Sequence, residues 1–149
     1  MSRALVETWF AAEPAARKVN SPAAALAALL PLLTDNGAVL AEEHFAVVAL
    51  SRGGKVIDAA VLTKGSDGFT VVDPKQVFRW TLTRPGRAHP ASILIGHNHP
   101  SGDCRESEQD VAVTRRVAEA GRVLGLPLMD HIIVGSGGRY TSFAERGLL

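Results

Sequence analysis

The sequence predicts an α/β fold, a single domain with one mixed β-sheet flanked by helices. Three observations carry this. Apolar runs of strand length, HFAVVAL, ASILIG and LMDHIIV, alternate along the chain with segments of helix length. Cap-and-proline pairs, Ser21-Pro22 and Asp73-Pro74, mark helix starts between them. A chain of 149 residues, 46% apolar and 21% charged, can bury one ordinary core without staples.

Taken in order, the first 20 residues read as an N-terminal arm, and residues 21–149 as the domain. Ser21 caps a helix with Pro22 at its first position, and the alanines and leucines from Ala23 to Leu33 continue it until Asp35-Asn36-Gly37. His44 to Leu50 and Lys55 to Leu62 form a hairpin around Arg52-Gly53-Gly54. Gly65 to Gly68 is a loop, Pro74 to Thr83 a helix, and Arg84 to Pro90 a polar connection. Ala91 to Gly96 is a buried strand, and HNHPSGDCRE follows it as a loop. Ser107 and Asp110 make a capping-box-like start to a helix whose buried face is expected to carry Val111, Val117, Ala118 and Leu124. Gly125 stops that helix, Leu128 to Val134 is a strand, and Arg139 to Thr141 returns after a turn. Ser142 is expected to cap a last short helix.

Composition narrows the function classes. The net charge of +1 removes a strong electrostatic case for nucleic acid or anionic membrane. The single cysteine, Cys104, permits no disulfide within the chain, which fits a reducing cytosol. MSRALVETWF has no signal-peptide pattern, and Ala23 to Leu33 is too short to span a bilayer. A cytoplasmic protein without a membrane partner is expected.

The chemistry concentrates in GHNHPSGDCRESEQD, Gly96 to Asp110, between the end of a buried strand and the start of a helix. His97 and His99 are two apart, so on an extended chain both imidazoles point one way and Asn98 the other. Pro100 turns the chain out of the sheet. Asp110, in the first turn of the next helix, is placed to add a carboxylate. Two imidazoles, one carboxylate and an open fourth position make the pattern of a catalytic zinc site. A glutamate beside the metal would shuttle the proton, and Glu42 and Glu43 both sit just before HFAVVAL.

These residues resemble a known family. His-x-His-Pro, then Ser107 ten residues after His97 and Asp110 thirteen after it, is similar to the JAMM motif of JAB/MPN metalloproteases. Within that superfamily the likeness is to the RadC-like JAB domain. It is carried by Glu43-His44-Phe45, GHNHPSGD (Gly96 to Asp103), DHIIVG (Asp130 to Gly135) and ERGLL (Glu145 to Leu149), and it runs from about Ser21 onward. The resemblance implies an αβα sandwich like that of cytidine deaminases. It also implies zinc (Zn2+) on His97, His99 and Asp110, and Glu43 rather than Glu42 as general acid/base. Ser107 would steady the oxyanion or orient the water. The implied activity is hydrolysis of a peptide or isopeptide bond in a protein or peptide substrate. JAB domains often pair, so a homodimer is the assembly to test. Longer RadC proteins carry a Pro-Thr-Pro-Ser-like run where this chain has Asp103-Cys104-Arg105-Glu106-Ser107, so the pocket rim changes charge and gains a thiol. Their helix-hairpin-helix segment has no room in this chain as read.

Other readings stand beside this one. Ser107 and Asp110 can be a helix cap alone. Cys104 reads as a loop thiol, and Phe78 and Trp80 as helix packing. His44 and His89 have no constellation around them. Asp130 could support a ligand imidazole, although a buried hydrogen-bonded Asp130–His131 pair in the core is preferred. The literal tripeptide His97-Asn98-His99 is not the dispersed nuclease motif of those letters. A zinc deaminase needs a second cysteine. The rival to an enzyme is a RadC-family binding module in DNA repair or mobile-element biology. A weak nucleic-acid association would be favoured by a surface cluster of Arg79, Arg84, Arg87, Arg115, Arg116 and Arg122.

Overall fold

Helix α1, Pro22–Leu33, starts where Ser21 accepts a hydrogen bond from the Ala24 amide, as the cap-and-proline pair predicts. The computed structural model describes residues 18–65, 72–84 and 88–149. The expected arm therefore lies outside the described residues as far as residue 17. So do residue 66 onward of the Gly65–Gly68 loop, and residues 85–87 with Arg87.

After α1 the chain does not simply turn. Thr34–Asp35 (β1) and Ala38–Val39 (β2) pair as a small antiparallel hairpin around Asn36-Gly37, a turn read from sequence only as a helix stop. Glu43–Leu50 (β3) and Val56–Gly65 (β4) form the expected long hairpin. Helix α2, Pro74–Thr83, opens with a capping box between Asp73 and Gln76. Ser92–Asn98 (β5), helix α3 Glu108–Leu124 and Leu128–Val134 (β6) follow. A short 3-10 turn, Ser136–Gly138, leads into Tyr140–Ser142 (β7).

The main sheet has the order β4-β3-β5-β6-β7, with β5 and β6 parallel and every other pair antiparallel. It is the mixed α/β sheet that the sequence predicts. All of β5 is buried, as suits a central strand covered on both faces. Along β3 the side chains alternate. Ala46, Val48 and Leu50 meet Ala25, Leu29 and Leu33 of α1, while Phe45 and Val47 meet Val77 and Phe78 of α2 and Val117 of α3. Gly96 lets α1 approach β5: a Cβ there would lie 2.5 Å from Leu29 Cδ1 and 3.1 Å from the Ile132 carbonyl. The result is an αβα sandwich consistent with the JAB/MPN fold.

Two local expectations need correction. Leu124 is 50% exposed, and the buried face of α3 is Asp110, Thr114, Val117 and Gly121. Stepping by threes and fours from Asp110 gives that face, and the expected Val111 and Ala118 each lie one position round the helix from it. No helix follows Ser142. Its hydroxyl and carbonyl instead accept the Glu145 and Arg146 amides in a run of turns that is not continued. No described helix is long and apolar enough to cross a membrane.

Candidate metal centre

The pleat of two paired strands brings the first two groups together. β3 runs antiparallel to β5 with Phe45 opposite His97, so Glu43, two residues earlier, shares the face of Phe45 and reaches past His97. Its carboxylate lies 3.8 Å from His97 Nε2 and is buried, whereas Glu42 is exposed. β5 continues to Asn98, so His97 lies within the strand and His99 one step beyond its end. The two imidazoles face the same point, with Nε2 atoms 3.0 Å apart. Asn98 points the other way, as alternation predicts. Its Oδ1 accepts the His44 amide at 2.8 Å, and its Nδ2 donates to the carbonyls of Leu40 at 3.1 Å and Glu42 at 2.9 Å. A fully buried amide thus clamps the backbone on both sides of Glu43.

Helix α3 supplies the third group. Ser107 Oγ accepts the Asp110 amide at 3.0 Å, and the Ser107 amide donates to Asp110 Oδ2 at 2.8 Å, the reciprocal cap expected from sequence. This fixes the Asp110 carboxylate, with Oδ1 3.1 Å from His97 Nε2 and Oδ2 3.2 Å from His99 Nε2. Ser107 uses a lone pair in the cap, so its hydroxyl hydrogen remains a donor.

Donor atoms of Glu43, His97 and His99 all lie within 4.8 Å of one another. Asp110 stands closer to both rings than Glu43 does to His97, so the tighter set is His97, His99 and Asp110, with Glu43 beside it. His99 Nδ1 faces the Asp103 carbonyl at 2.7 Å and must carry its proton, which leaves Nε2 of the neutral ring as an acceptor. Acceptors therefore crowd one small space, and only protons or a cation can hold them there.

The electrostatics agree. Burial acts to raise the Asp110 pKa, but hydrogen bonds to His97 and His99 outweigh it and hold the carboxyl far below its usual range. Burial acts to lower that of His99. The Asp110 hydrogen bond, the Asp103 carbonyl and both nearby carboxylates outweigh this and hold it above the ordinary value. Behind the site, His97 Nδ1 meets His131 Nε2 at 2.8 Å, and His131 Nδ1 meets the Thr114 hydroxyl at 2.6 Å. Burial holds His131 well below the ordinary histidine value. The expected buried Asp130–His131 pair is present through the His131 amide, which donates to the Asp130 carboxylate, while the His131 ring turns to His97 and Thr114. The Asp130 carboxylate goes to the Ser142 hydroxyl and to the amides of His131 and Ala144, away from the site.

The rim comes from the β5–α3 loop. Gly102, at φ +84°, lies against the β6–β7 turn, where a Cβ would meet Ser136 Oγ at 2.6 Å. Asp103 and Arg105 pair on the surface at 3.0 Å, and the guanidinium lowers the Asp103 pKa. Cys104 is half-buried, and its carbonyl accepts the Thr141 hydroxyl. Of the arginines considered for nucleic acid, Arg79, Arg115, Arg116 and Arg122 are exposed, while the Arg84 side chain is buried against Asp58.

A family model, the RadC-like JAB domain, matches residues 19–148, which include every residue of this cluster. The chain belongs to the RadC-like JAB domain family. Its relatives include UPF0758 proteins of Symbiobacterium thermophilum, 41% identical over 122 residues (82% of this chain, 50% of the relative), and Rubrobacter xylanophilus, 42% over 118 residues (79% and 49%). A third, from Listeria innocua, is 39% identical over 129 residues (87% and 54%). The chain spans about half the length of the curated relatives it matches. The RadC-like JAB domain therefore accounts for nearly all of this chain, and a cluster able to hold a metal lies within it.

Proposed function

We propose that this domain is a zinc-dependent hydrolase of the JAMM type, acting on a peptide or isopeptide bond. The observation that carries the reading is the spacing of the donor atoms. His97 Nε2 and His99 Nε2 stand 3.0 Å apart, with Asp110 Oδ1 3.1 Å from the first and Asp110 Oδ2 3.2 Å from the second. Ligands about 2.0–2.1 Å from a tetrahedral zinc are about 3.3 Å apart, and each of these pairwise distances is close to that spacing. Two imidazoles and one carboxylate suit zinc chemically and leave a position open. Zinc there supplies Lewis acidity, which activates a water as nucleophile near neutral pH and polarises a carbonyl.

The residues divide the remaining work. Glu43 takes the proton of the attacking water and returns it to the leaving nitrogen. Asn98 fixes the backbone that aims Glu43. Ser107 donates its hydroxyl to the developing oxyanion. The choice of a peptide or isopeptide bond rests on the likeness to JAMM metalloproteases.

Metal content per chain, by elemental analysis of wild type, His97→Ala and Asp110→Ala, tests the reading. One zinc in wild type, lost in both variants, is expected. Folded wild type purified without chelator and free of metal overturns it. Glu43→Gln is expected to keep zinc while hydrolysis in a peptide and isopeptide screen falls at least about 100-fold. Zinc retained with no turnover of any peptide by wild type favours a RadC-family binding module instead.

A further inference from the structure

His97 is held from behind by a relay that no motif in the sequence pointed to. Its Nδ1 meets His131 Nε2 at 2.8 Å, His131 Nδ1 meets Thr114 Oγ1 at 2.6 Å, and Thr114 Oγ1 donates to the Asp110 carbonyl. The three side chains are almost completely buried. His97 stacks on Phe45 and His131 on Phe143, with interplanar angles of 12° and 22°, so neither ring is free to flip.

We propose that Thr114 and His131 are positioning residues that hold His97 in the one tautomer able to bind a metal. This rests on the metal-site reading above. A hydroxyl has a single proton, and that of Thr114 goes to the Asp110 carbonyl, one turn back on α3. Its oxygen must then accept, so His131 Nδ1 carries hydrogen. In the neutral ring Nε2 is bare and accepts from His97 Nδ1. His97 Nε2 is thereby left with its lone pair facing His99 and Asp110. The relay begins at the backbone of Asp110 and ends on the ring beside the Asp110 carboxylate, so one residue is both a candidate ligand and the anchor of its neighbour's tautomer. His99 is set separately by the Asp103 carbonyl.

Thr114→Val keeps the shape of the side chain and removes the hydroxyl. His131 then loses the acceptor for its Nδ1 hydrogen, and the tautomer with hydrogen on Nε2 becomes favoured. That hydrogen points at His97 Nδ1 and drives the His97 proton onto the metal-facing nitrogen. Zinc affinity, measured by competition with a chromophoric chelator, is expected to fall about 10–100-fold in Thr114→Val and to stay near wild type in Thr114→Ser. Equal affinity in wild type and the valine variant overturns the relay and leaves the metal site standing, even if the variant melts lower. Absence of zinc binding by wild type overturns the metal-site reading itself. Should the valine variant not fold, long-range proton–nitrogen NMR of zinc-loaded wild type decides. Hydrogen on His131 Nδ1 supports the relay, and hydrogen on Nε2 overturns it.

Discussion

His97 and His99 are two residues apart and face the same point, yet they belong to different regions of the molecule. His97 is 2% exposed, lies inside the central strand, and has both ring nitrogens committed to other side chains. The His99 side chain is 18% exposed, lies past the strand end, and on the side away from His97 and Asp110 is backed by one backbone carbonyl of a surface loop. The deep half of the site is thus part of the core, and its geometry is set whenever the sheet is formed. The rim half is set by a short loop whose own side chains, Asp103 and Arg105, face solvent. The inner half should govern stability and metal together, and the outer half metal with little effect on stability.

The largest expected effect falls on the deep half. His97→Ala is expected to abolish binding of the proposed zinc and to leave His131 without its partner, at a cost of about 1–3 kcal/mol in the metal-free protein. His99→Ala also weakens the metal but changes metal-free stability by no more than about 0.5 kcal/mol. Denaturant titration of both variants checks this, and equal losses would erase the distinction. Asn98→Ala comes next. It leaves the carbonyls of Leu40 and Glu42 and the amide of His44 without their buried partner, so about 2 kcal/mol is expected. Zinc content should survive while turnover falls, because the clamp holds Glu43 and no candidate ligand.

A smaller effect separates the halves by pH. The His99 pKa lies above the ordinary 6.5, so a proton competes with the proposed metal at the rim at a higher pH than it would for a free imidazole. Apparent zinc affinity should fall about tenfold per pH unit as pH drops through that raised value. An affinity that begins to fall only below about 6.5 contradicts it. Metal-free stability shows the smallest effect, with opposite signs. The pKa of His131 is lowered on folding, so below about 6.5 the unfolded chain binds a proton the native one refuses, and stability falls. That of His99 is raised, so it adds stability at low pH that is lost as pH rises through the folded value. Removing His99 should therefore steepen the fall in melting temperature between pH 7 and 5.

The same division separates what could be read from sequence and what could not. Ser21-Pro22, Asp73-Pro74 and the Ser107–Asp110 box act within one turn of backbone, so adjacent letters reveal them. His97 and His99 were legible because strand alternation fixes their common direction. The reach of Glu43 depends on the β3–β5 register, and without the family resemblance nothing local separated it from Glu42. Thr114 and His131 stayed hidden because their meeting requires α3 to lie across β6. A Thr at i+4 from a candidate ligand and a His beside an Asp in a mostly apolar strand were the available signals. The exposure of Leu124 is not legible because a helix end shows its burial phase poorly, and Asn36-Gly37 carries the same letters whether it stops a helix or turns a hairpin.

The parallel pairing of β5 with β6 also has a kinetic side. The β3–β4 hairpin closes through a short turn, but β6 can join β5 only after the whole of α3 has been looped between them. Such a closure loses loop entropy before its contacts are made, so those contacts come late on the way to the native state. Contacts that depend on it, the His97–His131–Thr114 chain among them, are then absent from the rate-limiting barrier. Substitutions in that chain should quicken unfolding and leave refolding nearly untouched, while substitutions in the β3–β4 hairpin slow refolding. The most deeply buried part of the site would be the last to assemble and the first to come apart.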